Sequence, residues 1–379
     1  MRASIIISAV VAALVGFGGS LAVILAATEA VGATQAQTGS WVAALSLSMM
    51  ATSAILSIRH KMPIITAWST PGAALIAASS GIGFEAAVGA FLFAAVLVLV
   101  TASFRVVADL IEKIPAALAS AMLAGVLFEF VVAIFAHAAD VPALVLPLIA
   151  GFLVLRLFSA MWAVLGVLAI GIGLSFSLGM LEPVESLQVS KLVWVTPAFD
   201  LPVMLGLGLP LYLVTMASQN LPGFAVLRAS GYRAPTRSIL GVTGIASVLS
   251  AFGGAHTSNL AAITASICTG PDTHPDPDKR WLTGPIYALT YAVLAVFGAS
   301  LVGMFAGFPP ALVATVAGVA LLGPFIGAAS AGFGSKEHLF PAALTFVVTA
   351  SGVSVFGIGA AFWGLVAGLF ALGLERLKR

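Results

Sequence analysis

Long apolar runs, broken by short polar stretches, repeat from one end of the chain to the other. A membrane-spanning helix needs about 20 apolar residues, and on that measure the chain holds about fourteen crossings and leaves no room for a soluble domain. The runs cover roughly 4–27, 40–58, 63–80, 86–111, 115–136, 142–158, 160–180, 202–220, 236–251, 257–270, 281–306, 309–328, 338–355 and 357–375. The third and the tenth are too short to cross as continuous helices.

Both short runs have the same design. The third begins after Pro63, passes through the β-prone Ile64-Ile65-Thr66-Ala67-Trp68 and restarts at Ser69-Thr70-Pro71-Gly72, where a hydroxyl residue suits a helix cap and proline its first turn. In the tenth, Phe252-Gly253-Gly254-Ala255-His256 reads as extended, Thr257-Ser258-Asn259 as a cap, and 260–267 as the helix. Each is expected to be an extended piece followed by a half-length helix whose N-terminus lies deep in the membrane. Such backbone is tolerated only where protein buries it or a polar cavity meets it.

These two segments stand about 187 residues apart in a chain of 379. Ile114-Pro115-Ala116-Ala117-Leu118 resembles Phe308-Pro309-Pro310-Ala311-Leu312, 194 residues on, and Ala27-Thr28-Glu29-Ala30-Val31-Gly32 pairs more weakly with Ser218-Gln219-Asn220-Leu221-Pro222-Gly223. Seven crossings per half is an odd number, so the halves have opposite topology. An inverted repeat with matching interrupted helices points to a transport site at the midplane. The linker 186–200, with Lys191 and Trp194, would join the halves along the outer interface.

Composition fixes the solvent. Hydrophobic residues are 61% and charged residues 8% of the chain, against roughly 45–50% and about 25% in soluble domains, so the surface must face lipid. With the N-terminus inside, 15 of the 16 basic side chains fall on the cytoplasmic side, as the positive-inside rule requires: Arg2, Arg59, Lys61, Arg105, Lys113, Arg156, Arg228, Arg233, Arg237, Lys279, Arg280, Lys336, Arg376, Lys378 and Arg379. Only Lys191 lies outside. A net charge of +2 spread over many loops gives nucleic acid no footing. The first 27 residues look like a signal peptide but are followed by many similar runs, and are read as an uncleaved first helix. Cys268 reads as a small hydrophobe, and Gly16-Phe17-Gly18-Gly19 as helix-packing glycine. No nucleotide loop, metal-ligand spacing or nucleophile elbow is present, so neither a cofactor nor an enzyme is expected.

Two half-helix N-termini aimed at one cavity would present about one unit of positive partial charge and unpaired N–H groups, a site for an anion. Ser69, Thr70, Thr257 and Ser258 stand at those ends, either as ligands or as caps. Gln219 and Asn220 would bind a substrate oxygen or hydrogen-bond the broken backbone of a neighbouring segment. His256 is a substrate partner, a proton carrier or a satisfied structural residue. Glu29 and Glu129 are the candidate intramembrane carboxylates, expected to be buried and to carry the proton; Glu129 reads equally as a neutral acid bonded to a carbonyl.

Three segments, Ala67-Trp68-Ser69-Thr70-Pro71-Gly72-Ala73-Ala74-Leu75, Ser218-Gln219-Asn220-Leu221-Pro222-Gly223 and Ala255-His256-Thr257-Ser258-Asn259-Leu260-Ala261-Ala262-Ile263-Thr264, resemble the benzoate:proton symporter family, BenE. The resemblance covers essentially the whole chain and implies the all-α, seven-plus-seven inverted-repeat fold shared with nucleobase permeases and anion exchangers. It implies a core domain from 1–113 and 201–307, a gate domain from 114–185 and 308–379, and an interfacial linker at 186–200. It also implies import of benzoate or a similar aromatic carboxylate with protons across the inner membrane, both termini cytoplasmic and a homodimer allowed. The substrate would sit between the third and tenth segments, near Asn259, with Phe17, Trp68 and Phe252 close enough to hold its ring. Where the nucleobase branch carries carboxylates, this chain has Gln219, Asn220 and His256, which suits an anionic ligand. Importing a monoanion against an inside-negative potential costs about 2.3 kcal/mol per 100 mV, a term that a co-transported proton cancels. The alternatives on the same fold are an anion exchanger or channel and a nucleobase-type permease.

Overall fold

The computed structural model describes residues 2–79, 81–104, 115–181, 188–261, 263–356 and 358–378. Arg105, Lys113 and Arg379 of the basic set, Ile114 of the repeat pair, Ser186 of the linker and Ala262 of the tenth segment lie outside them. The first half of the chain runs through α1 (Ala3–Ala30), α2 (Gln35–His60), β1 (Thr66–Trp68), α3 (Thr70–Ala77), α4 (Phe84–Ser103), α5 (Ala116–Asp140), α6 (Pro142–Phe158) and α7 (Ala160–Ser177). The second runs through α8 (Leu201–Ala229), α9 (Thr236–Ala251), β2 (Ser258–Leu260), α10 (Ile263–Thr269), α11 (Thr283–Ala306), α12 (Pro310–Phe333), α13 (Leu339–Ala350) and α14 (Ala360–Lys378). Among the described residues, eight helices are long and apolar enough to cross a membrane.

The two halves have the same order of elements, with a strand and a half-length helix third in each. β1 and β2 pair antiparallel, with Thr66 opposite Leu260, Ala67 opposite Asn259 and Trp68 opposite Ser258. Antiparallel pairing of equivalent strands is what a twofold axis in the membrane plane produces, so the inverted repeat is visible at its centre. The heaviest helix packing falls into two groups: α2 with α11, α4 with α9 and α1 with α11, then α5 with α12 and α13, α13 with α14 and α6 with α7.

Extended backbone at membrane depth must have its hydrogen bonds supplied by neighbours. A stripe of buried hydroxyls on α2 supplies many of them: Ser57 Oγ donates to the Ile64 carbonyl and accepts from the Ile64 N–H, and Ser53 Oγ accepts from the Thr66 N–H. Thr52 shares a 2.6 Å hydrogen bond with the Thr66 hydroxyl, and Ser48 one of 2.7 Å with that of Ser258. From other helices, Ser247 Oγ on α9 accepts from the Ser258 N–H and Tyr287 on α11 donates to the Thr66 carbonyl.

Several segments that carry basic residues meet one another at the helix ends. There the Ser4 hydroxyl donates to the Thr273 carbonyl, His60 meets Ser238, and Arg237 donates to the carbonyls of Ala102 and Ser103 at the end of α4. Arg280 is buried there and donates to the carbonyls of Thr269 and His274, closing the C-terminus of α10 with a cation. The opposite face carries residues 188–200 as a strap, tied by Ser190 N–H to Val296, Val195 N–H to Phe252 and Ala198 N–H to Glu85 carbonyls.

Candidate functional site

The strand pair brings most of the sequence-selected residues together. Ser69 caps α3, its Oγ accepting from the Gly72 N–H at 3.0 Å, with Pro71 in the first turn as expected. Its N–H donates to the Thr257 carbonyl, which ties the two broken segments directly.

Thr257 and Ser258 do not cap a helix. α9 ends at Ala251, a turn containing Gly254 at φ +88° reverses the chain, and the extended piece falls on 258–260, so the half-helix begins at Ile263 rather than near Leu260. Thr257 instead shares a 2.8 Å hydrogen bond with the Thr215 hydroxyl of α8, and Ser258 is held by Ser48 and Ser247.

His256 is fully buried, with both ring nitrogens engaged by protein. Nδ1 accepts from Trp41 Nε1 at 3.1 Å, which leaves Nε2 to donate to the Ser69 carbonyl at 3.1 Å. Trp41 and Phe91 pack against it, and Phe84 stacks on Trp41. That geometry fixes one neutral tautomer and leaves no ring nitrogen for a substrate, so His256 bridges α2 to the start of α3.

The adjacent amides of α8 part company. They lie in a π-helical segment, Met216–Asn220, followed by Pro222, which removes the donor to the Ser218 carbonyl. Asn220 turns to the strand: its Oδ1 accepts from the Leu260 N–H at 3.0 Å and its Nδ2 donates to the Thr215 carbonyl. Gln219 is half-buried and has no hydrogen-bond partner among the described residues. The half-buried Thr70 hydroxyl is also unpartnered. Asn259 is fully buried and donates to the Leu260 carbonyl, while its Oδ1 has no partner. Strand alternation puts Asn259 with Ala67 on the face of the pair opposite Trp68 and Ser258. Three groups on the broken segments and α8, two donors and one orphan acceptor, are thus left without a hydrogen-bond partner among the described residues, as is Ser46 Oγ on α2.

Phe17 and Trp68 come together as expected, with ring centroids 5.5 Å apart. They form a buried cluster with Tyr291 and Tyr287 of α11, and Trp68 Nε1 donates to Ser20 Oγ at the break in α1. Phe252 is elsewhere: it stacks on Trp194 of the strap at 4.6 Å, because the turn after α9 lies on that face. Glu29 and Glu129, expected to be buried, are both exposed, the first at the end of α1 and the second on α5. The residues the sequence reading missed are Trp41, Tyr287, Tyr291 and the α2 hydroxyl stripe. Only the stripe had a signal, hydroxyls at 46, 48, 52, 53 and 57 in an otherwise apolar helix.

A chain with paired half-helices at the centre of an inverted repeat, and a partly unsatisfied polar cluster beside them, is a membrane transporter and not an enzyme. Residues 1–374 match the benzoate membrane transport protein family, BenE, and the chain belongs to it. It is 37% identical over 361 residues to the Escherichia coli inner membrane protein YdcO, covering 94% of this chain and 92% of that one. To the benzoate membrane transport protein of Acinetobacter baylyi it is 35% identical over 367 residues, covering 96% and 93%. Among solved structures, the transmembrane domain of the cyanobacterial bicarbonate transporter BicA matches with a TM-score of 0.62 at 15% identity over 97% of both chains. SLC26A9 matches with a TM-score of 0.64 at 10% identity over 98% of this chain and 66% of that one. These last two show the fold alone.

Proposed function

We propose that the chain imports benzoate or a closely related aromatic carboxylate by proton symport across the inner membrane, with about fourteen crossings and both termini cytoplasmic. The substrate binds beside the crossing of the two broken segments. The observation that carries this reading is the leftover polar set. The Thr70 hydroxyl and the Gln219 amide can donate to a carboxylate, while the buried Asn259 Oδ1 lacks a donor, which a protonated acid or an accompanying proton supplies. An unpaired buried acceptor costs about 1–3 kcal/mol, so filling it favours the substrate together with its proton.

The two packing groups support a core of α1–α4 and α8–α11 moving against a gate of α5–α7 and α12–α14, with residues 188–200 as the linker. Glu29 and Glu129 are exposed carboxylates, one on each of these bodies, and serve as relay points for the proton rather than as buried carriers. His256 is a structural bridge in this scheme. Uptake of radiolabelled benzoate into proteoliposomes, competed by substituted benzoates, bicarbonate and uracil, tests the substrate class. Competition by benzoates alone is expected; preferential competition by uracil or bicarbonate would move the chain to another branch of the fold.

A further inference from the structure

A cavity of about 750 Å3 lies between two walls, one made by the end of α1, the start of α2 and the end of α11, the other by the end of α5 and the start of α12. On its α11 side it lies toward the 188–200 strap, which Ser300 ties at Gln188. Its surface is mostly apolar and includes the rings of Phe130, Phe305 and Phe308. Among the described residues, two ionisable side chains line it, Glu29 from α1 and His137 from α5. α2 adds only the neutral Gln35 and Thr38, and α11 and α12 add nothing that titrates. Neither Glu29 nor His137 has a side-chain hydrogen bond or an ion pair with any described residue. An apolar, aromatic cavity with a few convergent polar groups is the usual form of a small-molecule site, and pockets of roughly 300–1,000 Å3 hold such ligands.

We propose that this cavity is a second binding site, an outer capture site for an aromatic monocarboxylate, in which His137 receives the carboxylate and the phenylalanines hold the ring. Glu29 makes its occupancy depend on a proton. The proposal rests on the aromatic-acid reading given above, but it concerns a different set of residues from the central cluster. A protonated His137 offers a donor at each ring nitrogen, and a charge-assisted hydrogen bond to a carboxylate is the stronger kind. The Glu29 carboxylate repels a second carboxylate in the same chamber until one of them is protonated. Acid outside therefore favours capture on both counts. Because α1 and α5 belong to different packing groups, a ligand held between them links capture to relative movement of the two walls.

Equilibrium binding of radiolabelled benzoate to the purified full chain, followed between about pH 5 and about pH 8, tests this. Two sites are expected, and the one that His137 lines should weaken about tenfold or more as the pH rises, over and above the pH dependence that proton uptake gives the central site. His137→Gln and the cavity-filling Ala314→Trp should each remove the cavity site and leave the central one, whereas Gln219→Leu should weaken only the central one. A single class of site in the wild type, untouched by His137→Gln, overturns the proposal and leaves the central site standing. No benzoate binding by the wild type would overturn both. Should Ala314→Trp fail to fold, His137→Gln alone decides between these outcomes.

Discussion

His256 holds three elements with one ring, since Trp41 comes from α2 and the Ser69 carbonyl opens α3. Replacing it with Leu leaves a buried indole N–H and loses one of that carbonyl's two donors. At about 1–3 kcal/mol for each unsatisfied group, His256→Leu should lower the thermal unfolding midpoint of the purified protein clearly. An unchanged midpoint would return His256 to the list of substrate ligands. The two amides of α8 divide the other way. Gln219→Leu is expected to weaken benzoate binding by about 1–3 kcal/mol without loss of stability, and Asn220→Leu to lower stability by leaving the Leu260 N–H unpaired. Isothermal titration together with thermal unfolding of both variants separates the roles, and loss of stability in Gln219→Leu would contradict this division. From sequence these residues formed one polar pair, because which amide turns to the strand depends on the π-helical segment, and nothing in residue type or spacing announces it. The same holds for His256: its burial is legible in its apolar setting, but its partner Trp41 stands 215 positions away and is joined only by the fold.

At the scale of elements, the broken segments survive in the membrane because α2 lends them its hydroxyls. The double variant Thr52→Val with Ser53→Ala removes the acceptor for the Thr66 N–H and both partners of the Thr66 hydroxyl. A loss of about 1–3 kcal/mol is expected, seen as lower yield and a lower unfolding midpoint, while Ser103→Ala at the exposed end of α4 should be silent. Equal effects of the two would mean that the stripe is incidental. Element positions were largely legible: the expected run at 236–251 coincides with α9, and proline and serine marked the start of α3 correctly. The tenth segment was placed several residues early. Its glycines look like extended backbone, yet they form the turn that ends α9, and Thr257 and Ser258 look like caps when their hydroxyls instead bond α8 and α2 and the Ser258 N–H bonds α9. Cap chemistry and cross-segment bonding use the same residue types, so only the register of the strand pair distinguishes them.

For the whole molecule, the inverted repeat was legible because two segments too short to span recur half a chain apart. The outer cavity and the exposure of Glu29 and Glu129 were not, since each depends on which helix faces meet, and a division into core and gate came only as an implication of the family resemblance. The central claim is that this transporter moves an aromatic carboxylate together with a proton. It is tested most directly in proteoliposomes with the membrane potential clamped at zero, by measuring the initial rate of benzoate uptake and the internal pH at once. Rates are taken above those of protein-free liposomes, because undissociated benzoic acid crosses bilayers unaided. An inward proton gradient should raise the protein-dependent rate, and protons should enter in step with benzoate. A rate indifferent to the proton gradient but dependent on a counter-anion inside the vesicles would contradict symport and make the chain an exchanger.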